Sequence, residues 1–250
     1  CLTAGFAYQG EPSKHRHGAA RGESTQDIPL TAFVSFLQNH DQVGNRARGE
    51  RITELAPQQV VRALTALMLL APSPPLLFMG QEWAASQPFL FFCDFGPELA
   101  KAVTEGRRRE FARFAEFSHP EARERIPNPN DVATYRLAML DWNQCSDSVH
   151  APWLAFHREL LQLRQSEIAP RLRGIEPGST RLRWLAERAF EIQWRLGDES
   201  LLTLLANLSD SVVAGVALPT ARKLYSLLSE RPTADVLAPW AVAWFLEEPA

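Results

Sequence analysis

Residues 31–46 read "TAFVSFLQNHDQVGNR". The first seven form a continuous apolar run with β-branched and aromatic members, the composition of a strand buried on both faces. The run stops abruptly at Gln-Asn-His-Asp. In parallel α/β architectures the carboxyl ends of the strands face the pocket. The stretch therefore predicts a buried parallel strand over 31–37 that delivers His40 and Asp41 to a site.

Working outward, the next signal is Pro57, which suits the first position of a helix because its missing N–H is not needed there. Val60, Val61, Leu64, Leu67, Met68 and Ala71 recur at helical spacing and give that helix one apolar face. "PSPP" (72–75) ends it. "LLFM" (76–79) then reads as a second short buried strand, ending at Gly80-Gln81-Glu82. Strand, helix, strand is the order of a parallel α/β sheet. Upstream, residues 9–30 are polar and rich in Gly, Pro and charge, the chemistry of a long loop.

Downstream, residues 97–114 predict a helix interrupted at Gly106, and residues 118–150 read as loop. Residues 151–166 predict an amphipathic helix with Trp153, Leu154, Leu160, Leu161 and Leu163 on its buried face. After residue 180 the period becomes two. Six short segments, from "RLRWLAER" through "KLYSLLS" to "AVAWFLEE", predict antiparallel strands, with "LGDES" as a hairpin turn between the second and third. The expected division is an α/β part over 1–177 and a small antiparallel β-sandwich domain over 178–250.

The chain has 250 residues, 46% apolar and 22% charged, with a formal charge of −3. That balance gives no basic field for nucleic acid and no polybasic membrane patch. The longest apolar stretch is broken by three prolines, which argues against a membrane span. Cys1, Cys93 and Cys145 are widely spaced with no CxxC pair. They read as free thiols in a reducing, cytoplasmic compartment. No ligand spacing points to a metal, and no cofactor is expected. The chain opens on Cys rather than Met, which leads us to expect a fragment, a processed product or a truncated frame.

Asp41 and Glu82 each end a predicted strand, and His40 adjoins the first. Two acidic groups at adjacent strand ends suit stabilisation of a cationic transition state, such as the oxocarbenium-like one of glycoside hydrolysis. Asn39, Gln42, Asn45 and Arg46 add groups that could bind sugar hydroxyls. "EWAASQPFLFF" (82–92) adds aromatic faces of the kind on which sugars stack. Plainer readings stand beside these: His-Asp as a surface pair, Trp83 and Phe89 to Phe92 as core, and "GRRRE" (106–110) as a solvated helix face.

The combination resembles one family. "FLQNHDQVGNRARGERI" (36–52), residues 76–114 and "IPNPNDVATYRLAMLDW" (126–142) are similar to segments after the seventh and eighth barrel strands of malto-oligosyltrehalose trehalohydrolases. These are members of the α-amylase family of glycoside hydrolases. The resemblance implies the last two or three βα units of a (β/α)8 barrel followed by the β domain. It implies Asp41 as a catalytic transition-state stabiliser. Asn39, His40, Gln42, Asn45, Arg46, Glu82 and Trp83 would contact a maltooligosyl trehalose substrate. The reaction implied is hydrolysis of the α-1,4 bond next to the trehalose unit, with retention. Two departures qualify it. Glu11, Glu23 and Asp27, the acidic residues before Asn39, lie in the polar loop, so the nucleophile and acid/base are expected upstream of this sequence. Gln81 stands where the pattern usually has Glu, as it does in glycogen branching enzymes. A branching-type glucan transferase and a non-catalytic glucan-binding chain therefore remain as alternatives.

Overall fold

The computed structural model describes residues 1–227 and 236–249. The chain folds as two compact units interleaved in sequence. One holds residues 1–37, 58–76 and 158–250; the other holds 38–57 and 77–157.

The first unit is built around an antiparallel sheet. Its strands are β3 (Thr180–Ala186), β4 (Ala189–Arg195), β5 (Leu201–Asn207), β7 (Arg222–Ser226) and β9 (Val242–Glu247), in the order β3-β4-β5-β9-β7. The period-two reading survives in β4, where Phe190, Ile192 and Trp194 are buried and share one face. In β5 and β9 both faces are buried, which explains their continuous apolar runs. Trp194 stacks on Trp244 with ring centroids 5.5 Å apart and 16° between planes. The expected "LGDES" turn closes β4 onto β5, with Leu196 N–H donating to Ser200 O at 2.8 Å.

The other face carries Leu205, Ala243 and Phe245, which cluster with Val216, Leu237 and Ala241. A two-stranded ribbon of β6 (Val213–Ala214) and β8 (Val236–Leu237) lies on that side. Among the described residues the predicted sandwich is thus one five-stranded sheet and a short ribbon, not two full sheets. Of the predicted strand "KLYSLLS", Leu228 and Ser229 lie outside the described residues. A short hairpin of β1 (Gln9–Pro12) and β2 (Ala20–Gly22) occupies part of the expected long loop.

Helix α3 (Gln58–Leu70) packs against β9. Pro57 sits just before it, and every residue from Thr65 to Ala71 is buried, so the apolar stripe widens to the whole circumference. The two strands predicted on either side of this helix are not formed. Residues 33–37 make a single parallel bridge, Ser35 to Pro75, and no ladder. It consists of Ser35 N–H to Pro74 O at 2.9 Å and Leu76 N–H to Ser35 O at 2.8 Å. Proline donates nothing to a ladder, so the pairing goes no further. Val34 and Phe36 are exposed where burial was expected.

The second unit contains α1 (His40–Gly44), α2 (Ile52–Leu55), α4 (Pro97–Phe111), α5 (Pro120–Glu124) and α6 (Val132–Leu137). The expected break at Gly106 is absent: α4 runs through it. Helix α7 (Ala151–Leu163) begins in this unit and continues past its boundary into a π turn, Arg164–Ile168. Its buried residues are Trp153, Phe156, His157 and Leu160, with Arg164 one turn on. Leu161, expected on that face, is exposed, and Leu154 and Leu163 are half-buried. No described helix is long and apolar enough to cross a membrane.

Candidate functional site

The predicted site residues all fall in the second unit. Asn39 is the N-cap of α1. Its backbone is extended and its side-chain oxygen accepts from Gln42 N–H at 2.9 Å. That cap turns the chain, so His40, Asp41 and Gln42 point outward from one helical turn while Val43 and Gly44 are buried. The Asp41 carboxylate and the His40 ring are both highly exposed, with Nε2 of His40 3.4 Å from Oδ1 of Asp41. Asn45 is exposed at the C-cap. Arg46 is exposed and its guanidinium is engaged by Glu50 at 3.2 Å.

Glu82 sits in a single 3-10 turn, Gln81–Trp83, flanked by left-handed residues Gly80 (φ 80°) and Ala84 (φ 54°). A side chain on Gly80 would collide with Ala85 and Leu140 at 2.8 Å, so only glycine fits. Glu82 is half-buried. Trp83 is 1% exposed and packs on Trp142 at 5.0 Å between centroids. In this structure Trp83 is therefore core, and Trp142, 68% exposed at the start of the 3-10 segment Trp142–Ser146, is the aromatic face beside it. The backbone oxygen of Trp83 is held by the His150 ring at 2.9 Å.

Sequence reasoning missed the two arginines that fix these turns. Arg51 is 1% exposed and donates from Nε to Gln87 O at 2.6 Å and from Nη1 to Met79 O at 2.8 Å. It thus spans the loop that carries Glu82. Burial lowers its pKa, opposed by the charges of Glu54 and Glu82. Its cation also lies over the Phe78 ring, 5.3 Å from the centroid. Arg107, from the run read as a solvated face, donates from Nη2 to Gly44 O and to Arg46 O, each at 2.8 Å. A guanidinium bonded to backbone carbonyls has no acidic partner in the sequence to betray it. The loop containing Asp41 and the loop containing Glu82 also meet directly, where Phe89 N–H donates to Gly49 O at 3.0 Å.

Gln81, the departure from the family pattern, is 4% exposed, and its Oε1 accepts from Phe78 N–H at 3.3 Å. It closes its own turn. Among the described residues no group of three or more His, Cys, Asp or Glu is placed to hold a metal. The three cysteines are free.

Comparison with known proteins bears on this arrangement. A protein of Deinococcus radiodurans named malto-oligosyltrehalose trehalohydrolase is 42% identical over 147 residues, covering 59% of this chain and 24% of that one. One of the same name from Brevibacterium helvolum is 34% identical over 222 residues, covering 85% and 34%. This chain is homologous to malto-oligosyltrehalose trehalohydrolases. It spans about a quarter to a third of the length of the trehalohydrolases it matches. A solved structure from Salmonella typhimurium, carrying a provisional alpha-amylase name, superposes with a TM-score of 0.88 at 39% identity, over 99% of this chain and 40% of that one. Residues 177–244 match a family described as a domain of unknown function, DUF3459. The superposition on the Salmonella structure takes in the C-terminal antiparallel sheet of this chain.

Proposed function

We propose that these residues form part of the substrate cleft of a retaining glycoside hydrolase that cuts the α-1,4 bond next to the trehalose unit of maltooligosyl trehalose. The observation that carries this reading is the Asp41 carboxylate, held outward on a capped turn beside His40. An exposed, oriented negative charge can stabilise a developing oxocarbenium ion without reorganising when the reaction occurs. In this reading Asp41 and His40 hold hydroxyls of the sugar at the cleaved bond. Asn39, Gln42, Asn45, Arg46 and Glu82 line the cleft, and Trp83 supports Glu82 from below. The nucleophile and general acid, about 5–5.5 Å apart in retaining enzymes, would come from other parts of a polypeptide of the relatives' length. Residues 1–177 would be units of a (β/α)8 barrel and 178–250 its β domain.

A branching-type transferase is the second reading, and Gln81 is what favoured it. Its burial inside the turn gives that glutamine a structural role and removes most of the weight it carried. The test is product analysis of the natural full-length polypeptide with maltotriosyl trehalose. Free trehalose is the expected product, and new α-1,6 branches would overturn the hydrolase reading. Asp41→Asn should keep the fold and lower kcat by about a hundredfold or more, as expected when a charge aimed at the transition state is lost. Near wild-type turnover in that variant would remove Asp41 from the mechanism.

A further inference from the structure

Helix α1 is five residues long, well below the length at which a helix sustains itself. Something outside it must hold the turn that aims Asp41. At the N-terminal end Asn39 does so. At the C-terminal end Asn45 N–H reaches Asp41 O at 3.0 Å, and Arg46 N–H reaches Val43 O at 3.1 Å, but the Gly44 and Arg46 carbonyls point beyond the helix. Both are taken by one nitrogen of Arg107, at 2.8 Å each. The Arg107 cation is in turn flanked by the Phe91 and Phe111 rings, 5.1 and 5.3 Å from their centroids. Gly44 itself lies 3.6 Å, at the position a Cβ would take, from the Phe89 ring. The turn is therefore seated on packed aromatics and pinned by a cation at its negative end.

We propose that Arg107 is a positioning residue for Asp41, acting through the backbone of α1 rather than by touching substrate. The proposal rests on the role given to Asp41 above. Lysine cannot replace it fully, because a compact, strongly hydrated ammonium on a flexible stem does not stack between the Phe91 and Phe111 rings as the planar guanidinium does.

The test is a double-mutant cycle in the natural full-length polypeptide, with Arg107→Met and Arg107→Lys made in wild type and in Asp41→Asn. We expect R107M to lower kcat on maltotriosyl trehalose by about tenfold with KM changed by less than about threefold. R107K should recover part of the loss. In the Asp41→Asn background R107M should change the residual kcat by less than about twofold, since the group it positions is already disabled. Equal losses in both backgrounds, or no loss in wild type, would overturn the proposal. Amide hydrogen exchange provides a reading independent of activity. R107M and R107K should speed exchange at Asn45 and Arg46 while leaving Val61 to Leu70 unchanged. Unchanged exchange at Asn45 and Arg46, or loosening of Val61 to Leu70 as well, would overturn it. Should the wild-type polypeptide release no trehalose, the substrate reading fails and exchange alone decides the positioning role.

Discussion

Arg164→Met tests whether a buried cation bonded only to carbonyls stabilises the first unit. The Arg164 guanidinium, 9% exposed in the π turn, donates to Leu69 O at 3.0 Å, Ser73 O at 3.1 Å and Pro72 O at 3.2 Å, and also to Ala71 O. These are the carbonyls at and just past the end of α3, which have no partners within the helix. Leu69, Leu70 and Ala71 are at most 1% exposed, so water does not reach them without rearrangement. Four such carbonyls left without donors cost about 1–2 kcal/mol each, about 4–8 kcal/mol together. Removing the cation recovers its burial cost, which pushes its pKa down to about 10 and corresponds to about 3 kcal/mol. The net loss is about 1–5 kcal/mol, or near 3 kcal/mol at the centre of the range. At about 2–4 °C per kcal/mol the melting temperature should fall by about 6–12 °C. The assay is urea and thermal unfolding followed by tryptophan fluorescence, since the stacked Trp194 and Trp244 lie in the same unit. Arg195→Met, which breaks only the exposed pair with Glu199 at 3.1 Å, is the control and should cost less than about 0.5 kcal/mol. If Arg164→Met also lies within about 0.5 kcal/mol of wild type, the four carbonyls find other donors and the reasoning fails.

Two further outcomes follow from named contacts. Gly49→Ala places a Cβ 2.6 Å from Phe89 C and O at φ 65°, so it should cost more than about 2 kcal/mol and part the two loops of the site; a urea midpoint equal to wild type would show that the loops yield freely. The Arg222 hydrogen bond holds the Glu167 carboxyl below the usual carboxylate range, with burial opposing and the charges of Arg222 and Arg171 assisting. A carboxyl depressed on folding adds stability above its unfolded pKa and loses it as pH falls through the folded one. Arg222→Gln should therefore melt below wild type near neutrality and converge with it as pH falls through the depressed pKa of the folded carboxyl; a gap that persists once the carboxyl is protonated would exclude the ion pair as its cause.

The sheet was legible because its segments alternate or run continuously apolar, and both patterns survive in β4, β5 and β9. Helices α3 and α7 were legible from their period, although Phe156 and His157 complete the α7 stripe in place of Leu161. The runs at 31–37 and 76–79 misled for a simple reason. Apolar composition says that a segment can be a strand, but pairing needs donors along a partner, and the partner of Ser35 is Pro75. The stretch Asn39 to Arg46 was legible as polar chemistry at a chain reversal. What stood outside sequence reasoning was the support beneath it. Arg51, Arg107 and Arg164 bond to main-chain oxygens, which every residue possesses, so no complementary side chain marks their positions.

Strand β9 is made last of the five, yet it lies between β5 and β7, and its residues Val242 to Leu246 are all buried. During synthesis β3, β4 and β5 can pair as they emerge, because each follows its neighbour in sequence. β7 must then wait without a partner until β9 has left the ribosome. In that interval the edge of β5 exposes Leu202, Leu204 and Leu205, an open apolar template for another nascent chain. A premature stop before residue 242 would make that interval permanent. The few codons that specify β9 thus decide whether the edge of β5 is covered and β7 gains its partner.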